Sequence, residues 1–137
     1  MDDFSPVIYD LLDLMENWPL VGPWADFDRF WIGGFSQGAA LAYAFALRHP
    51  ERVQAVAGLA GFLPLEADSF FQDTAITDLT VYVSHGQTDK LVSVAKAREA
   101  VQKFNQAGAK VTYCESDVGH KLSADCFKGL ESFFVRS

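Results

Sequence analysis

A chain of 137 residues, half of them hydrophobic and 21% charged, has the make-up of a globular protein and excludes a disordered one. At this length roughly two-thirds of the unfolded chain's surface can be buried. The net charge of −7 excludes nucleic acid or an anionic membrane held through a basic patch.

In chain order, Ser5 followed by Pro6 signals a helix start. Val7, Ile8, Leu11, Leu12, Leu14 and Met15 give that helix a broad apolar face, and Pro19, Gly22 and Pro23 mark the loop after it. Trp18, Trp24 and Trp31, with Phe27 and Phe30, form an aromatic-rich stretch. Its expected place is the core or a covered edge, the alternative being an acyl-binding surface. Arg29-Phe30-Trp31-Ile32-Gly33 predicts a short buried strand, and Ala39 to Leu47 a buried helix that stops near His49-Pro50. Val53 to Leu59 predicts the next strand. Leu63 to Asp78 is expected to be an irregular excursion with a short helical piece. Thr80 to Ser84 follows as a strand and Val92 to Gln106 as a helix ended by Gly108. Lys110 to Glu115 is the last predicted strand and Ser123 to Phe134 the last helix. Short β-branched and aromatic runs alternating with helices predict one α/β domain over 1–137, with about four parallel strands joined by right-handed crossovers.

Cys114 and Cys126 show neither metal nor redox spacing and are expected to be buried free thiols. The acidic start, Met1-Asp2-Asp3-Phe4, lacks the positive region of a signal peptide, and no apolar run approaches a membrane span. The expected location is therefore the cytoplasm.

The chemistry concentrates at Gly34-Phe35-Ser36-Gln37-Gly38, a Gly-x-Ser-x-Gly between the predicted strand and helix. Such a turn is sharp enough to hold its serine at strained backbone angles above the sheet, beside the positive end of the helix. The flanking glycines are expected to prevent clashes there. Hydrolases built on this turn present serine, acid and histidine in that order. Of the three histidines, His49 sits at a helix end and His85 precedes the best acid, which leaves His120 in the loop after the last strand. Asp89, in His85-Gly86-Gln87-Thr88-Asp89, is the chosen acid. Its competing reading is the cap of the following helix. Asp117 is the runner-up, three residues from His120 on the same loop. Three such groups at the carboxyl ends of parallel strands converge on one edge of the sheet.

These motifs, with Leu59-Ala60-Gly61-Phe62-Leu63-Pro64 and Gly119-His120, resemble an α/β-hydrolase. More narrowly, they are similar to the carboxylesterase/phospholipase family that includes acyl-protein thioesterases, from about Pro6 to Phe134. The resemblance implies a three-layer α/β-hydrolase-like parallel sheet. It also implies Ser36 as nucleophile, Asp89 as acid, His120 as general base and the Gln37 amide as an oxyanion donor. Leu63, in the loop after the strand beside the elbow strand, is implied in the acyl pocket. The expected substrate is a small ester or thioester, and the mechanism requires no metal or cofactor. Members normally carry several strands before the elbow, one of whose loops supplies half of the oxyanion hole. Only thirty-five residues precede Ser36 here. The chain therefore resembles the C-terminal half of a member, with an exposed sheet edge that favours a homodimer. The alternative function is a non-catalytic binding or assembly module on the same fold.

Overall fold

The computed structural model describes residue 4 and residues 6–10, 12–13, 29–73 and 76–136. Residues 6–10 and 12–13 are helical, and Phe4 and Ile8 are buried in the main core. Trp18, Trp24, Phe27, Leu11, Leu14, Met15 and the Pro19–Pro23 loop lie outside the described residues.

Four strands alternate with four helices: β1 (Phe30–Phe35), α1 (Gln37–Arg48), β2 (Val53–Leu59), α2 (Ala67–Asp73), β3 (Thr80–Gly86), α3 (Val94–Gln106), β4 (Lys110–Ser116) and α4 (Ala124–Arg136). The strands form one parallel sheet in the order β1-β2-β3-β4. The predicted strands and the helices after them are all present, with ends shifted by a few residues, but β1, expected to be buried, alternates half-buried and exposed residues. β1 runs to Phe35 rather than Gly33 because Gly34 and Phe35 stay in register with Gly58 and Leu59. The excursion after β2 carries the short helix α2.

Alternation along the strands separates two cores. Val81 and Val83 of β3 join Val56 of β2 in the larger core, which α1 and α3 cover. Tyr82 of β3 joins Ala55 and Ala57 of β2 in the smaller one, covered by α4 through Phe133, Leu130 and Phe134. The result is the expected three layers. On α1, buried Ala39, Ala40, Ala42, Ala44 and Ala46 keep the helix close to the sheet. Phe104 of α3 fills the larger core, its ring 5.3 Å from that of Tyr43 and 5.0 Å from that of Phe71. Burying a side chain of that size stabilises the fold by about 1.5–3 kcal/mol.

One expectation is overturned. Cys114 and Cys126 are not free thiols: they form a disulfide, with their Cα atoms 5.7 Å apart. The bond ties β4 to α4 and closes a loop of sequence separation 12. A cross-link of that span is worth about 3 kcal/mol in the chain-entropy picture. The closed segment contains His120. Inside it the hydroxyls of Ser116 and Ser123 lie 2.8 Å apart, a second tie across the same base. Among the described residues no helix is long and apolar enough to cross a membrane, and no cluster of side chains has a metal-binding arrangement.

Candidate active site

The turn between β1 and α1 holds Ser36 at φ 57° and ψ −116°, a backbone region that costs a non-glycine residue on the order of 1–3 kcal/mol. Its neighbours over-determine that conformation. The Ser36 amide donates to the Leu59 carbonyl at 2.7 Å, and the Ser36 carbonyl accepts from the Ala39 amide at 3.0 Å. The two flanking glycines differ in what they do. A Cβ on Gly34 would lie 2.1 Å from the Gly38 carbonyl oxygen, whereas one on Gly38 would meet nothing within 4 Å. Only Gly34 is sterically required, because the chain folds back over it and not over Gly38.

His120, in the loop after β4, reaches the serine. Its Nε2 is 3.1 Å from Ser36 Oγ and its Nδ1 is 2.7 Å from Asp89 Oδ2. An ionised carboxylate only accepts, so Nδ1 carries the ring proton and Nε2 offers its lone pair to the serine hydroxyl. His120 keeps partial solvent access, while the Asp89 side chain is fully buried.

Asp89 does two jobs at once. Its Oδ1 accepts from the amides of Leu91 and Val92, both at 2.9 Å, which shapes the turn ahead of α3. Its Oδ2 faces His120. The helix-cap role considered for it belongs instead to Ser93, whose Oγ accepts from the Ala95 amide at 3.3 Å. Burial pushes the Asp89 carboxyl up, but the hydrogen bonds from the Val92 amide, His120 and the Leu91 amide outweigh it. The net effect is a carboxyl held below the ordinary aspartate value.

The remaining candidates take no part in the hydrogen bonds of this relay. Asp117 is exposed in the turn after β4. His49 caps α1, its amide donating to the Phe45 carbonyl at 2.9 Å. Gln37 is the first residue of α1, directly after Ser36. Leu63 is buried in the larger core and lines a small cavity of about 130 Å³ with Leu65, Lys96 and Lys103.

Two neighbours of the site were not singled out from the sequence. Phe35, the variable residue before Ser36, is half-exposed, and its ring lies 5.0 Å from the imidazole of His120. Its position in the motif is a signal for this, since it must flank the serine. His85 is buried with Nε2 3.3 Å from Asp89 Oδ2. Its signal is the four-residue spacing to the acid across a tight turn.

Across residues 6–136 the chain matches the phospholipase/carboxylesterase family. It is 35% identical over 106 residues to acyl-protein thioesterase 1 of Eremothecium gossypii, covering 71% of this chain and 43% of that protein. A probable SOBER1-like carboxylesterase of Arabidopsis thaliana is 30% identical over 110 residues, covering 77% of this chain and 41% of the relative. A probable inactive carboxylesterase of Oryza sativa subsp. japonica is 31% identical over 93 residues, covering 66% of this chain and 38% of the relative. The chain thus spans about two-fifths of the length of these curated relatives. Among solved structures, Arabidopsis thaliana SOBER1 aligns with a TM-score of 0.80 at 23% identity, over 99% of this chain and 66% of that one. The Bacillus cereus carboxylesterase aligns at 0.78 and 17% identity, over 95% and 60%. At these identities the structural likeness is one of fold, and it agrees with the family match. The chain belongs to the phospholipase/carboxylesterase family of α/β-hydrolases.

Proposed function

We propose that the protein is a serine hydrolase that cleaves small carboxylic esters or thioesters through an acyl-enzyme on Ser36. The observation that carries this reading is the continuous relay from Ser36 Oγ through His120 to Asp89, at 3.1 and 2.7 Å. His120 Nε2 takes the hydroxyl proton as Ser36 Oγ attacks the carbonyl carbon. Asp89 holds the imidazole tautomer and balances its positive form. The Gln37 amide donates to the oxyanion. His120 then gives its proton to the leaving alcohol or thiol, and activates a water that releases the acid and restores Ser36. Phe35 offers the substrate an apolar surface beside His120, and Leu63 contributes to the acyl side. Hydrolysis of activated esters is the activity to expect.

Intact-mass analysis after treatment with a fluorophosphonate tests this directly. The wild type is expected to gain one phosphonyl group and Ser36→Ala none. A folded wild type that stays unlabelled sinks the reading. That outcome would favour the second one, a non-catalytic binding module, which the relative named a probable inactive carboxylesterase supports.

We read the chain as one partial domain of this fold. Among the described residues β1 pairs with β2 alone, and Trp31 and Phe35 on it are 46% and 45% exposed. An apolar strand in that position is a template for pairing, and a homodimer through it is the expected assembly. Sedimentation velocity reads this: a single monomer boundary for folded protein at tens of micromolar contradicts the dimer. In a reducing cytoplasm Cys114 and Cys126 would be held as thiols, without the bond between them.

A further inference from the structure

We infer that His85 is a positioning residue for the acid of the relay, holding the Asp89 carboxylate in the orientation that His120 uses. The inference deepens the hydrolase reading and rests on it. His85 is the next-to-last residue of β3, four residues before Asp89, and its side chain has no solvent exposure. Its Nε2 lies 2.7 Å from the Val92 carbonyl oxygen and 3.3 Å from Asp89 Oδ2. Both partners only accept, so the ring proton sits on Nε2 and is directed at Val92. The contact with Oδ2 is longer and electrostatic: the positive edge of the imidazole faces the same oxygen that His120 uses.

The consequence is a clamp on both sides of the carboxylate. Oδ1 is gripped by the Leu91 and Val92 amides, and the Val92 carbonyl is gripped by His85. His85 thereby fixes the turn that supplies the Oδ1 donors, and its N–H edge steadies Oδ2. Torsions at a carboxylate are broad and roughly two-fold, so a carboxylate without such contacts is free to turn. The other ring nitrogen, Nδ1, is buried with no hydrogen-bond partner among the described residues. An unpartnered buried polar atom costs about 1–3 kcal/mol. A plain core residue such as leucine avoids that cost, so filling space does not account for an imidazole here. Its Nε2–H does.

The test compares His85→Leu, which removes the donor, with His85→Gln, whose amide nitrogen reaches about as far as Nε2. Three readouts are taken: ester hydrolysis with p-nitrophenyl acetate, thermal melting, and the far-downfield imidazole proton that the His120–Asp89 pair gives in ¹H NMR. In a folded His85→Leu, kcat is expected to fall about 10- to 100-fold with KM within about twofold. The downfield proton is expected to broaden or vanish. His85→Gln should restore both to near wild type, which a purely space-filling role does not predict. Wild-type kcat and an unchanged downfield proton in folded His85→Leu overturn the inference. If His85→Leu does not fold, His85→Asn replaces it, its shorter amide falling short of Val92. Asn behaving like Gln then overturns the inference, and Asn failing where Gln succeeds supports it. If the wild type shows no Ser36-dependent turnover, the hydrolase reading fails separately and the NMR arm decides. A downfield proton present in wild type and lost in His85→Leu still supports positioning. One retained in both, or absent from the wild type, overturns it.

Discussion

Replacing Asp89 by asparagine is expected to lower kcat by about 10⁴ while leaving the protein folded. The reason is set by which atoms already face Asp89. Its Oδ1 accepts two main-chain N–H groups at 2.9 Å, so an asparagine must put its carbonyl oxygen there. The amide NH₂ then takes the place of Oδ2, 2.7 Å from His120 Nδ1. Facing a donor, Nδ1 must accept, which moves the ring proton to Nε2. His120 would then present an N–H to Ser36 instead of a lone pair, and the base is lost without any atom leaving its place. The same NH₂ would also confront the Nε2–H edge of His85. Steady-state hydrolysis of an activated ester measures the loss. A decrease of less than about tenfold would mean that Asp89 does not set the tautomer. The stability difference from wild type should also follow pH with a definite sign. The Asp89 carboxyl in the folded protein titrates below its ordinary value of 3.8. Its ionised form therefore stabilises the fold in full above that value, and the contribution disappears as pH falls through the lower folded-state value.

Much of this site was legible because its signals are local. Gly34, Ser36 and the alanine-rich run after them mark a strand-to-helix turn within a dozen residues. With three histidines in the chain, elimination by strand ends leads to His120, and Asp89 follows as the acid after β3. The fold brings these three side chains within hydrogen-bond distance of one another. What was not legible depends on contacts between distant segments. The pairing of Cys114 with Cys126 requires α4 to fold back over β4, and the two residues' spacing carries no motif for it. His85 precedes the acid in the sequence, yet the turn from Gly86 to Asp89 brings it back against that acid. The two elbow glycines look alike in sequence, and only the path of the chain over Gly34 tells them apart. The same holds for Gly86, which no pattern distinguishes from Gly119.

Gly86→Ala is accordingly expected to impair both stability and turnover, with Gly119→Ala as its nearly silent control. A Cβ on Gly86 would stand 2.1 Å from the Gly119 carbonyl oxygen and 2.2 Å from that of Val118. Both are backbone atoms, so no side-chain rotation relieves the contact. The two segments are also tied together: the Gln87 amide donates to the Ser116 carbonyl at 2.7 Å, and the Thr88 amide to that of Val118 at 3.1 Å. The far ends of the loop are held by the Cys114–Cys126 bond and the Ser116–Ser123 contact. The displacement must therefore fall in the middle of the loop, where His120 follows Gly119. Overpacking of this kind costs about 1–3 kcal/mol or more. Moving His120 by about 1 Å from Ser36 costs on the order of 10² in turnover. On Gly119 itself a Cβ meets nothing within 4 Å. Alanine there should leave the melting temperature within a degree or two, because substitutions that create no clash and remove no packing stay within about 0.5 kcal/mol. Thermal melts and ester turnover on the two variants separate the possibilities. If both variants behave alike, the close approach of β3 to the His120 loop is not what places the histidine. If Gly86→Ala alone fails, the packing of those two backbones sets the 3.1 Å gap between His120 and Ser36.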